Sequence, residues 1–204
     1  MIKYRLPQEK DINSCTKILI DGFSLQLNVL FNNSIPFYLL FDILYSFMKL
    51  ENKGFIVAEE NNTIAGFILV SQSMQKLILK FIKYHFWTIL LKIIKRNYIN
   101  ISIKNILFIT GQFIYFNFQS IHHISSSQGQ VLILSVDSKF RRRGIGTVLL
   151  NQGIQYIKRF KKSVKLEVRE DNISAINLYL KKGFIIKGKI KSPIGFSLIL
   201  IKNF

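Results

Sequence analysis

The chain has 204 residues, of which 49% are hydrophobic and 20% charged, with a net charge of +18. That balance excludes a disordered chain, because the apolar content can offset the entropy of ordering, and the length fits one domain with room for an insertion. The lone cysteine, Cys15, excludes an internal disulfide framework and suits a reducing compartment.

The charge is unevenly placed. Residues 1–60 carry −1, residues 61–136 carry +7 without an acidic residue, and residues 137–204 carry +12. A basic surface of this size favours polyanions: nucleic acid, anionic lipid or a multiply phosphorylated cofactor. The amino terminus, Met1-Ile2-Lys3-Tyr4-Arg5, meets charge before any apolar run and does not read as a signal peptide. The stretch nearest to a membrane span, Asn105 to Ile121, lacks charge but is interrupted by Gly111, Gln112, Asn117 and Gln119 and does not read as one. The expected location is therefore the cytoplasm, with peripheral contact at the inner face of the membrane kept open.

Ile2–Leu6 reads as a short strand. Asp11 is placed to cap a helix running to about Phe23, with Ile12, Cys15, Ile18 and Leu19 on its core face. Pro36 opens a second helix through about Lys49, apolar around most of its circumference. Gly54–Glu59 and Thr63–Val70 pair as a hairpin around Glu60-Asn61-Asn62. Met74–Arg96 reads as a helix with Lys76, Lys80 and Lys83 on one face, and the placement of Lys92, Lys95 and Arg96 predicts a bend. Asn105–Phe118 fits helix and strand alike. Ser125–Gly129 reads as a loop, and His122-His123 as loop histidines, since a metal site needs more ligands than lie nearby.

The carboxy-terminal third is regular. Val131–Val136 is an apolar strand and Gly144–Phe160 a helix. Ser163–Arg169 alternates Val164, Leu166 and Val168 with Lys165, Glu167 and Arg169, the pattern of a half-buried strand. Ile173–Lys182 is a helix stopped by Gly183. Phe184–Lys191 and Gly195–Lys202 are strands around Ser192-Pro193.

Where the chain passes from Val136 into the Gly144–Phe160 helix, it reads Arg141-Arg142-Arg143-Gly144-Ile145-Gly146-Thr147. A strand, an Arg/Gly loop and a helix make a phosphate site. Gly144 and Gly146 let backbone approach an anion, and the first helical N–H groups and the helix dipole face it. Taken alone, the loop fits equally well a tight turn with solvated arginines.

The residues from Val136-Asp137-Ser138 through Arg141, Gly144 and Gly146 resemble motif A of the GCN5-related N-acetyltransferases (GNAT). Leu166-Glu167-Val168-Arg169, Asn172, Ala175, Leu178-Tyr179 and Gly183-Phe184 resemble the strand and helix that follow it in that family. The resemblance covers about residues 130–184 and is nearest to the ribosomal-protein alanine N-acetyltransferases. It implies an α/β (α+β) fold, with a mixed central sheet of about seven strands. The resemblance also implies that the fourth and fifth strands splay apart and that helices flank the sheet. This sequence adds an apolar, helical insertion at about 73–120 after the third strand, foreign to the alanine N-acetyltransferases, in a single 1–204 domain. The resemblance implies acetyl-coenzyme A as co-substrate and no metal. The backbone of Leu134 and Val136 would pair with pantetheine, residues 141–147 would hold the pyrophosphate, and Asn172 would contact the pantetheine arm.

The chemistry implied is acetyl transfer to a primary amine, either a protein amino terminus or a small amine such as an amino sugar. An α-amine with a pKa of about 8 needs only a modest base. The resemblance marks Glu167 as that base, Tyr179 as the acid that protonates the leaving thiolate, and the Val136 N–H as an oxyanion donor. Three readings stay open for the insertion: a lid or homodimer element, a membrane-surface helix built on Phe81, Phe86, Trp87 and Leu90 among lysines, and an RNA surface. RNA is the least favoured, since no aromatic platform accompanies the lysines. The alternative to an enzyme is a non-catalytic acyl-coenzyme A-binding or membrane-adaptor protein that keeps the loop.

Overall fold

β1 (Lys3–Arg5), α1 (Asp11–Gly22), α2 (Ser24–Leu30) and α3 (Phe37–Leu50) lead into the hairpin β2 (Phe55–Glu60) and β3 (Thr63–Ser71). Asn61 and Asn62 form its two-residue turn with φ of 49° and 62°, a conformation that asparagine tolerates better than other side chains. Asp11 does not cap α1. It lies in the first turn, where its carboxylate accepts the Gln8 N–H at 2.6 Å and pairs with Arg5 at 2.6 Å. The guanidinium on β1 draws the carboxylate away from the helix end. The chain also turns at Phe23 and starts α2, an element that the apolar spacing does not announce.

This is a computed structural model, and the residues it describes are 1–94, 128–192 and 195–204. Asn105–Phe118, His122-His123, Ser125–Ser127 and Pro193 lie outside them. After β3 come α4 (Met74–Phe81), a wide π-type segment over Ile82–Phe86, and α5 (Trp87–Ile94). A π-type segment is a common place for a helix to kink, while Lys95 and Arg96, part of the basis for the expected bend, lie outside the described residues. The remaining elements are β4 (Gln128–Val136), α6 (Ile145–Lys158), β5 (Ser163–Arg169), α7 (Ile173–Lys181), β6 (Ile185–Ser192) and β7 (Gly195–Asn203). Gln128 and Gly129 belong to β4 rather than to a loop, pairing with Ser163 and Val164. A side chain at Gly129 would come within 2.4 Å of Ile157, so α6 can pack there only against glycine.

The strands form one seven-stranded mixed sheet in the order β1-β2-β3-β4-β5-β7-β6. α6 covers one face through Ile145, Leu149, Leu150, Ile154 and Ile157, packed on Ile68, Val70, Val164 and Leu166. α1 and α3 cover the other face through Ile12, Cys15, Leu44 and Met48 against Phe55, Val57, Phe67 and Leu69. Burial pushes the Cys15 thiol well above its usual range, so it stays a neutral core group.

Two features open the sheet. Leu69 faces Ile133 and Val70 faces Val131, leaving Leu132 as an extra residue in β4. Such a bulge bends the strand that carries it. The parallel ladder between β4 and β5 then covers only Gln128↔Ser163, Gly129↔Val164 and Gln130↔Lys165, while β5 stays paired with β7 as far as Arg169↔Ser197. The two central strands therefore part beyond Gln130 and Lys165, as the family resemblance implies. β5 is not half-exposed as its alternation suggests. It is a central strand covered on both faces, and Lys165 is only 1% exposed.

Candidate active site

Along a strand, the peptide groups of successive residues point to opposite edges. The Asp137 N–H donates to Ala65 O on β3 at 2.9 Å. The N–H and C=O of Val136 therefore point away from β3, toward the gap left by β5, and by the same alternation so do those of Leu134. The Val136 carbonyl accepts Arg141 Nε at 3.0 Å, which leaves its N–H as the group offered to the gap.

The loop beyond β4 is tied down from two sides. Arg141 pairs with Asp21 at the end of α1 (2.7 Å), and Arg143 pairs with Glu60 in the β2–β3 hairpin (2.7 Å) while lying over the Phe140 ring. These two arginines hold the loop in place. Arg142, at φ 62°, and Gly144, at φ 78°, turn the chain into α6. The first helical bond runs from the Val148 N–H to Gly144 O, so the N–H groups of Ile145, Gly146 and Thr147 precede the helical ladder. Among the described residues no side chain caps this end. The Ile145 side chain itself is core, so only its backbone faces outward. A Cβ at Gly146 would meet Val136 at 3.6 Å and Leu178 at 3.9 Å, ordinary contacts. The fold thus leaves room at this glycine that it does not use.

β5 and α7 complete the arrangement. Val164, Leu166 and Val168 join Ile176, Tyr179 and Phe184 in the core on the α6 side. By the two-residue period of a strand, Lys165 and Glu167 face the α1 side. Tyr179 is 8% exposed and packs edge-on against Phe184 at 5.8 Å. Burial pushes its hydroxyl up to about 12, so it holds its proton throughout the neutral range. Asn172 is exposed, and its Oδ1 caps α7 by accepting the Ala175 N–H at 3.2 Å, leaving only its amide nitrogen to offer a ligand. Glu167 and Tyr179 thus flank the β4–β5 gap from opposite faces of the sheet.

Lys165 is the residue that sequence reasoning missed. Its Nζ lies 2.8 Å from Glu167 Oε1, yet off the direction of a hydrogen bond, so the contact is charge against charge and, among the described residues, the ammonium has no hydrogen-bond partner. Gln128, on the same face at the closed end of the gap, also holds a buried Oε1 without a hydrogen-bond partner among the described residues. The available signal was position: a lysine two residues from a candidate base, on a strand central enough to be covered on both faces.

Among the described residues no cluster of side chains is suited to a metal ion, and no helix is long and apolar enough to cross a membrane.

The acetyltransferase (GNAT) family matches residues 105–184. An N-alpha-acetyltransferase of Sulfurisphaera tokodaii is 44% identical over 59 residues, which are 28% of this chain and 35% of that protein, so the match spans about a third of the relative's length. The PaiA N-acetyltransferase of Thermoplasma acidophilum, solved with coenzyme A, superposes with a TM-score of 0.59 at 15% identity, covering 100% of this chain and 99% of that one. The ribosomal-protein-S18-alanine N-acetyltransferase of Escherichia coli does so at 0.56 and 15% identity, over 100% and 94% of the two chains. At such identities the structures speak for the fold, and the family match adds the motif that lies within it. Residues 105–184 thus match the GNAT acetyltransferase family, within a chain whose fold is shared with these solved acetyltransferases.

Proposed function

We propose that this chain is an acetyl-coenzyme A-dependent N-acetyltransferase acting on a primary amine. The observation that carries the reading is the early end of the β4–β5 ladder, beside an α6 amino terminus that no described side chain caps. The N–H groups of residues 145–147, with exposed Arg142 beside them, suit a pyrophosphate, while Arg141 and Arg143 hold the loop that presents them. The exposed backbone edge at Leu134 and Val136 suits the amides of a pantetheine arm, which would lie there as an added strand. The coenzyme supplies the acetyl group as a thioester. The Val136 N–H is placed to donate to the thioester oxygen as charge develops on it. Tyr179, protonated at neutral pH, can deliver a proton to sulfur from the α7 side. Glu167 can take the amine's proton, directly or through water, from the opposite side.

Gln128 and Lys165 offer polar groups on the acceptor side, which favours a polar amine such as a peptide amino terminus or an amino sugar. A free thiol at Cys15 fits the cytoplasmic location proposed. Homodimerisation through the segment at about 73–120 is a further proposal without an observation of its own.

The discriminating experiment is thiol release from acetyl-coenzyme A across a panel of peptide amino termini and small amines. Turnover with one class of amine is expected. Coenzyme binding without turnover on any amine would favour the non-catalytic acyl-coenzyme A-binding alternative.

The Lys165–Glu167 pair makes a second prediction. Removing one member of a buried ion pair leaves the other uncompensated, at a cost of about 3 kcal/mol, while removing both is far less costly. Lys165→Met is expected to destabilise the fold by that order, and adding Glu167→Gln should restore most of the loss. Denaturant titration of the single and double variants measures the coupling. Additive effects would show that the two charges do not support each other.

A further inference from the structure

α4, the wide turn and α5 present two apolar sides. The inner side carries Leu77, which is fully buried, and packs Phe81, Ile89 and Ile93 against the α2–α3 pair. The outer side leaves Leu79, Ile82, Trp87 and Leu91 in solvent, with Trp87 64% exposed. Their spacing, with the extra residue of the wide turn, lines them up along one stripe. Soluble surfaces seldom keep a contiguous stripe of large apolar side chains without a use for it.

The surroundings of the stripe are basic. Lys76, Lys80 and Lys83 are exposed beside it. Lys76 and Lys80 also line a cleft of about 230 Å³ together with Tyr156 and Lys161 from the far end of α6. A bond from Gln72 Nε2 to the Tyr156 hydroxyl at 2.8 Å fixes the two parts together. That end of α6 adds exposed Lys158, Arg159 and Lys162 around exposed Phe160. The nearby carboxylates are engaged: Glu51 accepts the Ser71 hydroxyl and Asp42 pairs with Lys92. No acidic residue occurs between positions 61 and 136.

An apolar stripe with an exposed tryptophan, bordered by more lysines than the nearby Glu51 and Asp42 can offset, matches the chemistry of an anionic bilayer surface. We propose that the α4–α5 stripe, with the adjoining basic end of α6, seats this protein on anionic phospholipid. The stripe buries into the headgroup boundary and the lysines pair with lipid phosphates. The coenzyme loop lies at the other end of α6, about 20 Å away for a helix of this length, so docking leaves it open. The inference does not rest on the acetyl-transfer reading.

Trp87 is the only tryptophan in the chain, so its emission reports on this stripe alone. The experiment adds vesicles of phosphatidylcholine, with or without one-quarter phosphatidylglycerol, to the full chain. A blue shift with the anionic vesicles, quenching by brominated lipid and reversal in about 1 M salt are expected. Replacing Lys76, Lys80 and Lys83 together by Glu should weaken vesicle affinity at least about tenfold while coenzyme affinity, measured on the same sample, is unchanged. Trp87 emission unmoved by anionic vesicles overturns the proposal, and so does an equal shift with neutral ones. Emission already blue-shifted without lipid, or shifting with protein concentration alone, overturns it in favour of a cover from this chain or a second copy. Saturation by single-stranded RNA in place of vesicles overturns it in favour of nucleic acid.

Discussion

Gly146→Glu is expected to abolish coenzyme binding while leaving the melting temperature within a few degrees of the parent. Gly146 sits in the first turn of α6 with an ordinary helical φ, unlike Gly144 at φ 78°. An added Cβ meets only Val136 and Leu178, at 3.6 and 3.9 Å, so the protein itself does not oppose a side chain. Replacing glycine in a helix gains up to about 1 kcal/mol of helix propensity. A carboxylate near the helix amino terminus adds about 0.3–1 kcal/mol. Stability should therefore hold or rise slightly, by roughly 2–4 °C in a chain of this size. The same carboxylate places charge and bulk where the phosphates would lie against the N–H groups of residues 145–147. Loss of affinity by at least about a hundredfold, roughly 3 kcal/mol, is the expected readout in a coenzyme A titration. Gly144→Ala is the instructive contrast. Its left-handed backbone costs a side chain about 1–2 kcal/mol, so it should lose stability as well as affinity. Unchanged coenzyme affinity in Gly146→Glu would remove this loop from coenzyme binding altogether.

What could be read from the sequence, and what could not, divides by range. Local signals carried: Asn61-Asn62 as a hairpin turn, the Arg/Gly loop between strand and helix, and Gly183 as the stop of α7, which adopts φ 79° as a left-handed cap must. The splay of β4 and β5 came from the family resemblance and not from periodicity. The bulge at Leu132 lies inside Val131-Leu132-Ile133-Leu134, where no alternation exists for an extra residue to break. Long-range ties were invisible. Asp21 and Glu60 lie 120 and 83 positions from the arginines they hold, and nothing local marks a surface carboxylate as an anchor. Lys165 failed for a different reason. A charged residue alternating with valines reads as the wet face of a strand. Only the order β4-β5-β7 reveals that this strand has no wet face.

Tyr179→Phe should lower turnover by about 10²–10⁴-fold, the usual range for loss of a positioned proton donor, with coenzyme affinity and stability nearly unchanged. The ring keeps its edge-on contact with Phe184 at 5.8 Å, and only the hydroxyl is removed. Burial raises that hydroxyl to about 12, and the sign of this shift makes two further differences measurable. A donor that keeps its proton across the neutral range cannot impose a falling limb on the rate as pH rises toward about 9. The parent's rate there should follow deprotonation of the amine instead, rising and then levelling. A folded value above the ordinary tyrosine range also means that the buried neutral hydroxyl contributes stability below that range and loses it as pH rises through about 12. The phenylalanine variant has no such group, so on alkaline denaturation the parent should lose stability where the variant does not. A variant that matches the parent's alkaline loss would mean that Tyr179 does not titrate as a buried hydroxyl. A variant that loses this alkaline step yet turns over at the parental rate would leave Tyr179 as a core aromatic and require another donor at the α7 side of the gap.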